Sequence, residues 1–206
     1  MSAPHPPQFR FIGGHPVLDF VNTVGGSRFT NPKEKVQASG DLLAWAVQAG
    51  VLSPAEGARI AKDAAARPAE AARALERALA FRELVYRVLL PLAGGKPAPA
   101  DDLAALDTEV HRAWSARHLA QTAEGLRWGG PEAAHLESLV PRLALAAAEL
   151  LTGTGFTRMR VCEDTDGCGW LFLDQTRNHS RRWCEMESCG NKHKARRHYA
   201  RVRGQA

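Results

Sequence analysis

The chain has 206 residues, of which 45% are apolar and 24% are charged, and its net charge is +5. This composition is ordinary for a globular protein, and no apolar run approaches the roughly 18 residues of a membrane span, so no membrane-spanning helix is expected. The length fits a main domain with a small appendage. The first eight residues lack the apolar core of a signal peptide, so we expect a cytoplasmic protein.

The positive charge is concentrated at the C-terminal end. Residues 157–206 carry 11 Lys and Arg against 6 Asp and Glu, whereas the first 156 residues are neutral. A one-ended excess of this kind is typical of a segment that binds a polyanion. Judged on charge alone, a solvated basic tail that only aids solubility fits equally well.

Residues 1–155 are predicted to form a mostly helical α+β domain with a few short strands. Residues 9–24 fit either two short strands or a strand followed by a helix from Pro16, and Gly25-Gly26-Ser27 is expected to be a loop. The clearest helix start is the capping box of Ser53 and Glu56 around Pro54. The predicted helices cover residues 39–50, 53–66, 68–90, 101–114 and 131–151, and a hairpin covers 118–128.

All four cysteines lie between residues 162 and 189. Because cytosolic thiols stay reduced, clustered cysteines favour a metal site over disulfides, and four thiolates complete the tetrahedral shell of structural zinc. We therefore predict a closed, non-catalytic zinc site. Its ligands are Cys162, Cys168, Cys184 and Cys189. Free buried cysteines remain an alternative, as does a ligand role for His179, His198 or His193, of which His193 lies one helical turn after Cys189.

The order of elements around these cysteines predicts a treble-clef finger over residues 156–206. A turn with Asp164 and Gly167 lies between the first two cysteines, an apolar strand is expected over 169–174, and a helix is expected from Ser188. So short a segment buries too little apolar surface to fold alone. Zinc binding, worth roughly 10–16 kcal/mol in such modules, is therefore expected to accompany folding.

Two motifs resemble known families. The runs CGWLFLD (168–174), SRRWC (180–184) and CGNK (189–192), with Asn178, Met186 and Lys194, resemble the CGNR zinc finger. The run GGHPVLDFVNT (13–23) resembles the start of the ABATE domain. Lys192 replaces the arginine that names the CGNR motif, which keeps the charge and loses a bidentate fork. The resemblance implies a bacterial, stress-induced transcription regulator whose N-terminal domain senses a ligand and whose finger binds DNA.

Candidate nucleic-acid contacts come from the motif and from the last helix. The resemblance implies the four cysteines as zinc ligands and Arg181, Arg182, Lys192 and Lys194 as contacts. The helix adds Arg196, Arg197 and Arg201, while its seam of Ala195, Tyr199 and Val202 is expected to face the core of the finger. Asn178 and Asn191 could read base edges, although Asn191 fits a capping role better. Arg181 and Arg182 could instead offset the charge of the zinc site.

The N-terminal domain offers weaker signals for a ligand site. Asp19, Asn22 and Thr23 interrupt an apolar run and must be hydrogen-bonded if they are buried. Asp19, Asn22 and Trp45 are the candidate ligand-binding residues, with Trp114 and Trp128 as further pocket walls. For each tryptophan, packing in the core is the competing interpretation.

DNA is the expected partner, with zinc as the cofactor. RNA or ribosome binding and a protein-interaction module remain alternatives. A small-molecule effector and a homodimer also stay open. No motif for nucleophilic, phosphate-binding or metal-hydrolytic chemistry is present in the sequence, so an enzyme is not expected.

Overall fold

The computed structural model of the protein describes residues 8–129 and 135–203. Within these ranges the helices are α1 (Pro16–Val21), α2 (Ser39–Gln48), α3 (Pro54–Ala66), α4 (Pro68–Ala93), α5 (Ala100–Ser115), α6 (Leu139–Thr152) and α7 (Asn191–Arg203). The strands are β1 (Val24–Ser27), β2 (Asn31–Glu34), β3 (His118–Thr122), β4 (Gly125–Gly129), β5 (Met159–Val161) and β6 (Leu171–Leu173). They pair as three antiparallel hairpins, β1–β2, β3–β4 and β5–β6. The fold is therefore α+β, as the sequence predicted.

Local signals fix several helix ends. Ser53 accepts a hydrogen bond from the backbone of Glu56 at 3.2 Å, and the Glu56 carboxylate accepts one from the backbone of Ser53 at 2.8 Å. This reciprocal capping box starts α3 at the predicted residue. Gly50 follows α2 with a positive φ of 71°, a conformation in which glycine carries no steric cost. The predicted start of the helix at Pro131 lies outside the described residues. Within them, a 3-10 turn at Leu136–Ser138 precedes α6, which begins at Leu139.

The predicted loop at Gly25-Gly26-Ser27 is wrong, because these residues belong to β1. A Cβ atom on Gly26 would lie 2.3 Å from the carbonyl oxygen of Asn31, so glycine is required where the two strands approach closely. The strand expected before Pro16 is also absent, since the described residues 8–12 have no regular structure. The helix from Pro16 is confirmed. Pro91 does not end α4, which continues to Ala93.

The long helix α4 lies at the centre of the hydrophobic core. Helices α1, α2, α3, α5 and α6 all contact it. The same core includes Met159 from β5 and Leu171 from β6, both of which are buried. The β5–β6 hairpin therefore closes one side of the helical core. The division between two domains at residue 155 stays a prediction.

A reciprocal hydrogen bond joins α1 to β6. The Asn22 side chain, at the C-cap of α1, donates from Nδ2 to the Leu171 carbonyl at 2.8 Å. Its Oδ1 atom accepts from the Leu171 N–H at 3.1 Å. The amide thus replaces a neighbouring strand at this edge of β6, and we call this pair of bonds the Asn22 bridge. Two residues further on, the Leu173 N–H donates to the Gly13 carbonyl at 2.8 Å. The edge of β6 is therefore covered by the segment that begins with the GGHP motif.

The next residue of the motif ties α1 to α4. Thr23 donates to the Phe20 carbonyl at 2.7 Å and accepts from the Arg82 guanidinium at 2.8 Å. Arg82 is buried and also pairs with Glu34 of β2 and with Glu83. The prediction that Asp19, Asn22 and Thr23 are hydrogen-bonded if they are buried is confirmed.

Among the described helices, none combines the length and the apolar character needed to span a bilayer.

Replacing Asn22 by alanine should destabilise the protein by roughly 2–4 kcal/mol, because it leaves the buried N–H and C=O groups of Leu171 without partners. Urea unfolding of the zinc-loaded protein measures this change. The matched control is Asn31→Ala, which removes the same amide from an exposed position. Equal stability losses in the two variants would contradict the structural role of the Asn22 bridge.

Candidate metal centre and nucleic-acid interface

The four cysteines converge on one buried point. Their sulfur atoms all lie within 4.8 Å of one another, and each of the four residues is buried. The Sγ atoms of Cys168 and Cys184 are 3.5 Å apart, and those of Cys184 and Cys189 are 3.8 Å apart. A tetrahedron with Zn–S bonds of about 2.3 Å has sulfur atoms about 3.8 Å apart, so the spacing fits zinc. Among the described residues, this is the only cluster of metal-binding side chains.

The β5–β6 hairpin supplies the first two ligands. Cys162 follows β5 directly, and its N–H donates to the Trp170 carbonyl at 2.8 Å. Between the pair, the Asp164 carbonyl accepts from the N–H groups of Gly167 and Cys168, which closes a tight turn. Gly169 then has a φ of 72° and lets the chain enter β6. This is the turn that the sequence predicted between the first two cysteines.

The remaining ligands lie at the start of α7. Cys184 belongs to the loop before it, and Cys189 lies in the single wide helical turn Met186–Gly190 that leads into α7. The positive end of the α7 dipole therefore lies close to the thiolates, which stabilises their negative charge. The knuckle, hairpin and helix follow one another in treble-clef order.

Two cations near the thiolates, Arg10 and Lys35, come from the N-terminal part of the chain. Arg10 has a raised pKa, chiefly through its hydrogen bond to Glu185 and in part through Cys184 and Cys189. Burial lowers the pKa of Lys35, while the nearby Cys168 acts in the opposite direction. The sequence did not identify either residue, because no local pattern indicates a contact across more than 130 positions.

The finger has a small core of its own. Trp170 and Phe172 are buried beside the cysteines, and Ile12 and Trp183 pack against them. The Trp170 indole donates to the Val24 carbonyl at 2.8 Å, so the N-terminal segment supplies part of this environment. His193 is in ring contact with Trp183 at 5.4 Å.

The expected orientation of α7 is wrong. None of its residues is buried, and Tyr199 and Val202 are 67% and 51% exposed. The seam of Ala195, Tyr199 and Val202 points away from the turn between the first two cysteines. At 100° per residue, the centre of the seam lies roughly 150° around α7 from His193 and roughly 90° from Arg196, and both of these residues line the groove over that turn. The apolar seam therefore faces solvent. The contacts of His193 with Trp183 and of Arg196 with Asp164 hold the first two turns of α7 against the finger.

The seven predicted nucleic-acid contacts fall into two groups. Arg181 donates to the carbonyls of Trp183 and Cys184 and lies over the Phe172 ring, so it orders the ligand loop. Arg182 pairs with Glu163, and Arg196 pairs with Asp164 at 2.7 Å. The other four are exposed, and in the described part of the chain they form no ion pair. These are Lys192, Lys194, Arg197 and Arg201.

The two asparagines of the finger are both exposed. The Asn191 side chain donates to the Glu187 carbonyl at 3.1 Å, one turn earlier. An N-cap side chain would instead accept from a backbone N–H further along the helix, so this bond links Asn191 to the preceding turn, and the capping role stays a prediction. Asn178 lines a notch of about 550 Å³ together with Arg182, Trp183 and Met186.

The structure separates the candidate ligand-binding residues. Trp45 is fully buried and packs against Phe20 at 4.7 Å, and Asn22 forms the bridge to Leu171. Asp19 accepts a hydrogen bond from the Gly13 N–H at 2.8 Å, close to the bridge. Trp114 and Trp128 do come together, with ring centroids 5.8 Å apart, and line a cleft away from the other three residues.

Four buried cysteines with this spacing and a basic helix beyond them define a zinc-finger protein. Residues 158–202 match the CGNR zinc finger model. Residues 14–154 match the ABATE model, described as "Putative stress-induced transcription regulator". The chain therefore belongs to the ABATE family and carries a CGNR zinc finger, in agreement with the resemblance noted in the sequence. Neither family is an enzyme family. A search of curated proteins finds no match.

Purified protein should contain one zinc ion per chain, and Cys184→Ala should lose it, because three thiolates leave the shell incomplete. Metal analysis after gel filtration measures the stoichiometry. His193→Ala is the control and should retain zinc, since that ring contacts Trp183. A zinc content that fell equally in both variants would show that the histidine is a ligand.

Burial raises the pKa of Asp19 from its usual 3.8 to about 6, although hydrogen bonds from Gly13 and Ile12 oppose the shift. The native state therefore binds a proton that the unfolded chain releases, so the free energy of unfolding falls as pH rises from 4 to 6. The contribution of Asp19 to this fall is on the order of 2–3 kcal/mol.

The variant Asp19→Asn keeps an oxygen that can accept from Gly13 and should flatten this pH dependence. Urea unfolding at pH 4 and pH 7 measures it. An unchanged difference between the two pH values would show that Asp19 is not the titrating group.

Proposed function

We propose that this protein is a DNA-binding transcription regulator. Its zinc finger contacts DNA through α7, and its N-terminal domain senses a small molecule. The observation that carries the proposal is α7 itself, whose 13 residues include six Lys and Arg and no acid. The whole helix is accessible, and its first turn is anchored beside the zinc site.

The basic residues of the finger have different proposed roles. Lys194, Arg197 and Arg201 lie within about 60° of one another around α7, so they form one ridge that can follow a line of phosphates. Lys192 lies on the other side of the exposed seam. Arg181 contributes indirectly, since its donors order the loop before Cys184. Phosphate contacts of this type fix position and carry no sequence information by themselves.

The connection to the N-terminal domain supports a regulatory function. The finger is packed against the helical domain, because Met159 and Leu171 belong to the helical core and the Asn22 bridge binds β6. The β1–β2 hairpin adds a further contact, in which Ser27 donates to the Thr165 carbonyl beside the first cysteine pair. A change in the helical domain therefore acts directly on the base of the finger.

RNA binding is the second candidate, and the notch beside Asn178 favours it. Its walls combine Trp183 with Met186, which is 51% exposed, and the exposed amide of Asn178. An unstacked base fits such a surface better than a duplex does. Competition between single-stranded RNA and duplex DNA at matched salt separates the two candidates.

The combined substitution of Lys194, Arg197 and Arg201 by alanine should lower the slope of log affinity against log salt by about 2.7, since each phosphate contact contributes about 0.9. Fluorescence anisotropy of a labelled duplex between 50 and 200 mM salt measures it. Alanine favours helix, so α7 should persist.

The control replaces three exposed cations of the N-terminal domain, Lys62, Arg73 and Lys96, and removes the same net charge. Its slope should stay at the wild-type value. An equal loss of slope in both triple variants, or undiminished binding by zinc-stripped protein, would refute DNA binding through the finger.

A further inference from the structure

A cleft of about 940 Å³ opens between α3, α5, α6 and β4, and none of the zinc ligands lines it. Trp114 of α5 and Trp128 of β4 form one wall, with their rings nearly perpendicular at 86°. These side chains are 47% and 57% exposed. Leu145 and Ala146 of α6 form part of the floor. Two adjacent exposed tryptophans are unusual on a protein surface unless they bind something.

The β3–β4 hairpin extends this apolar wall. Leu119 pairs with Trp128 across the hairpin, and Leu126 lies two residues from Trp128 on the same face. Leu119 and Leu126 are 62% and 69% exposed. The face of the hairpin that carries Trp128 is thus apolar and uncovered.

Arg117 supplies a cation at the edge of this wall. Its guanidinium lies 4.8 Å from the Trp114 ring and 5.7 Å from the Trp128 ring. Within residues 8–129 and 135–203 it forms no ion pair, so its N–H groups are available to an anion. The neighbouring Arg142 is already paired with Glu56 at 2.7 Å and donates to the Val51 carbonyl. Arg117, at the aromatic wall, can therefore recognise a ligand charge.

We propose that this cleft binds a flat, apolar carboxylate, with its ring against Trp114 and Trp128 and its carboxylate on Arg117. The proposal rests on the ligand-sensing half of the proposed function and names the site and the class of ligand. An aromatic acid matches both the tryptophan rings and the guanidinium, because its ring can pack against the tryptophans while its carboxylate accepts hydrogen bonds from Arg117. A cationic or purely apolar molecule satisfies only one of them.

The cleft also reaches the base of the finger. It is lined by Pro16, the first residue of α1, and the C-cap of the same helix is Asn22, which forms the Asn22 bridge. Glu149 lines the same end and interacts electrostatically with His15, the N-cap of α1. A ligand in the cleft thus contacts one end of a short helix whose other end holds β6. Occupancy of the cleft should therefore change DNA affinity.

The test uses 1-naphthoate as the probe and the full-length, zinc-loaded protein, with binding measured by calorimetry. Wild-type protein should bind 1-naphthoate and should not bind 1-naphthylmethylamine, which has the same ring and the opposite charge. Arg117→Ala should weaken 1-naphthoate binding about tenfold or more, as expected for a lost charged hydrogen bond. The milder Arg117→Gln should also weaken it, and zinc content shows that each variant is folded.

Matched controls are Arg73→Ala, an exposed arginine of α4, and Leu103→Ala, an exposed apolar residue of α5 outside the cleft. Both should bind 1-naphthoate like wild type. The proposal is overturned if folded wild-type protein fails to bind 1-naphthoate at millimolar concentration, if the amine binds equally well, or if both Arg117 variants keep wild-type affinity.

Duplex titrations on the same samples keep the two proposals apart. DNA binding without ligand should be unchanged in Arg117→Ala, and added 1-naphthoate should shift the DNA affinity of wild type only. Loss of DNA binding in a protein that still binds 1-naphthoate would count against the proposed function and leave the cleft assignment intact.

Discussion

The reciprocal hydrogen bond between Asn22 and Leu171 is the interaction on which the arrangement of this protein depends. The β5–β6 hairpin has two strands of three residues each, and such a hairpin is not stable alone in water. Its outer edge needs partners for backbone groups that are removed from water. The amide of Asn22 provides both a donor and an acceptor at one position, and Gly13 provides the next acceptor. The finger is therefore a docked part of the fold.

This docking gives the GGHPVLDFVNT motif a physical meaning. Pro16 starts a short helix, and the polar residues that follow have separate partners. Asp19 accepts from the loop before the helix, Asn22 holds β6, and Thr23 joins the buried Arg82 network. Asp19, Asn22 and Thr23 therefore each make a structural contact at this junction. The cleft lined by Trp114 and Trp128 lies elsewhere, beside α5 and α6.

The basic residues of the finger show how charge is divided around a metal centre. Arg10 and Arg181 lie close to the thiolate cluster, and Arg182 and Arg196 are matched by Glu163 and Asp164. Within the described part of the chain, Lys192, Lys194, Arg197 and Arg201 form no ion pair, and all four lie on α7. A helix anchored at one end by zinc and accessible along its length can meet an extended polyanion without any rearrangement of the finger.

The sequence by itself determined the elements whose signals are local. The capping box at Ser53, the turn at Gly50 and the four cysteines each depend on residues a few positions apart, and zinc chemistry then fixes the site. Only the tertiary structure decided which way α7 faces, that Gly26 belongs to a strand, and that Trp45 is separated from Trp114 and Trp128. The same holds for the Asn22 bridge, which spans 149 positions. Periodicity reports which residues share a face, whereas the partner of that face is set by packing between distant segments.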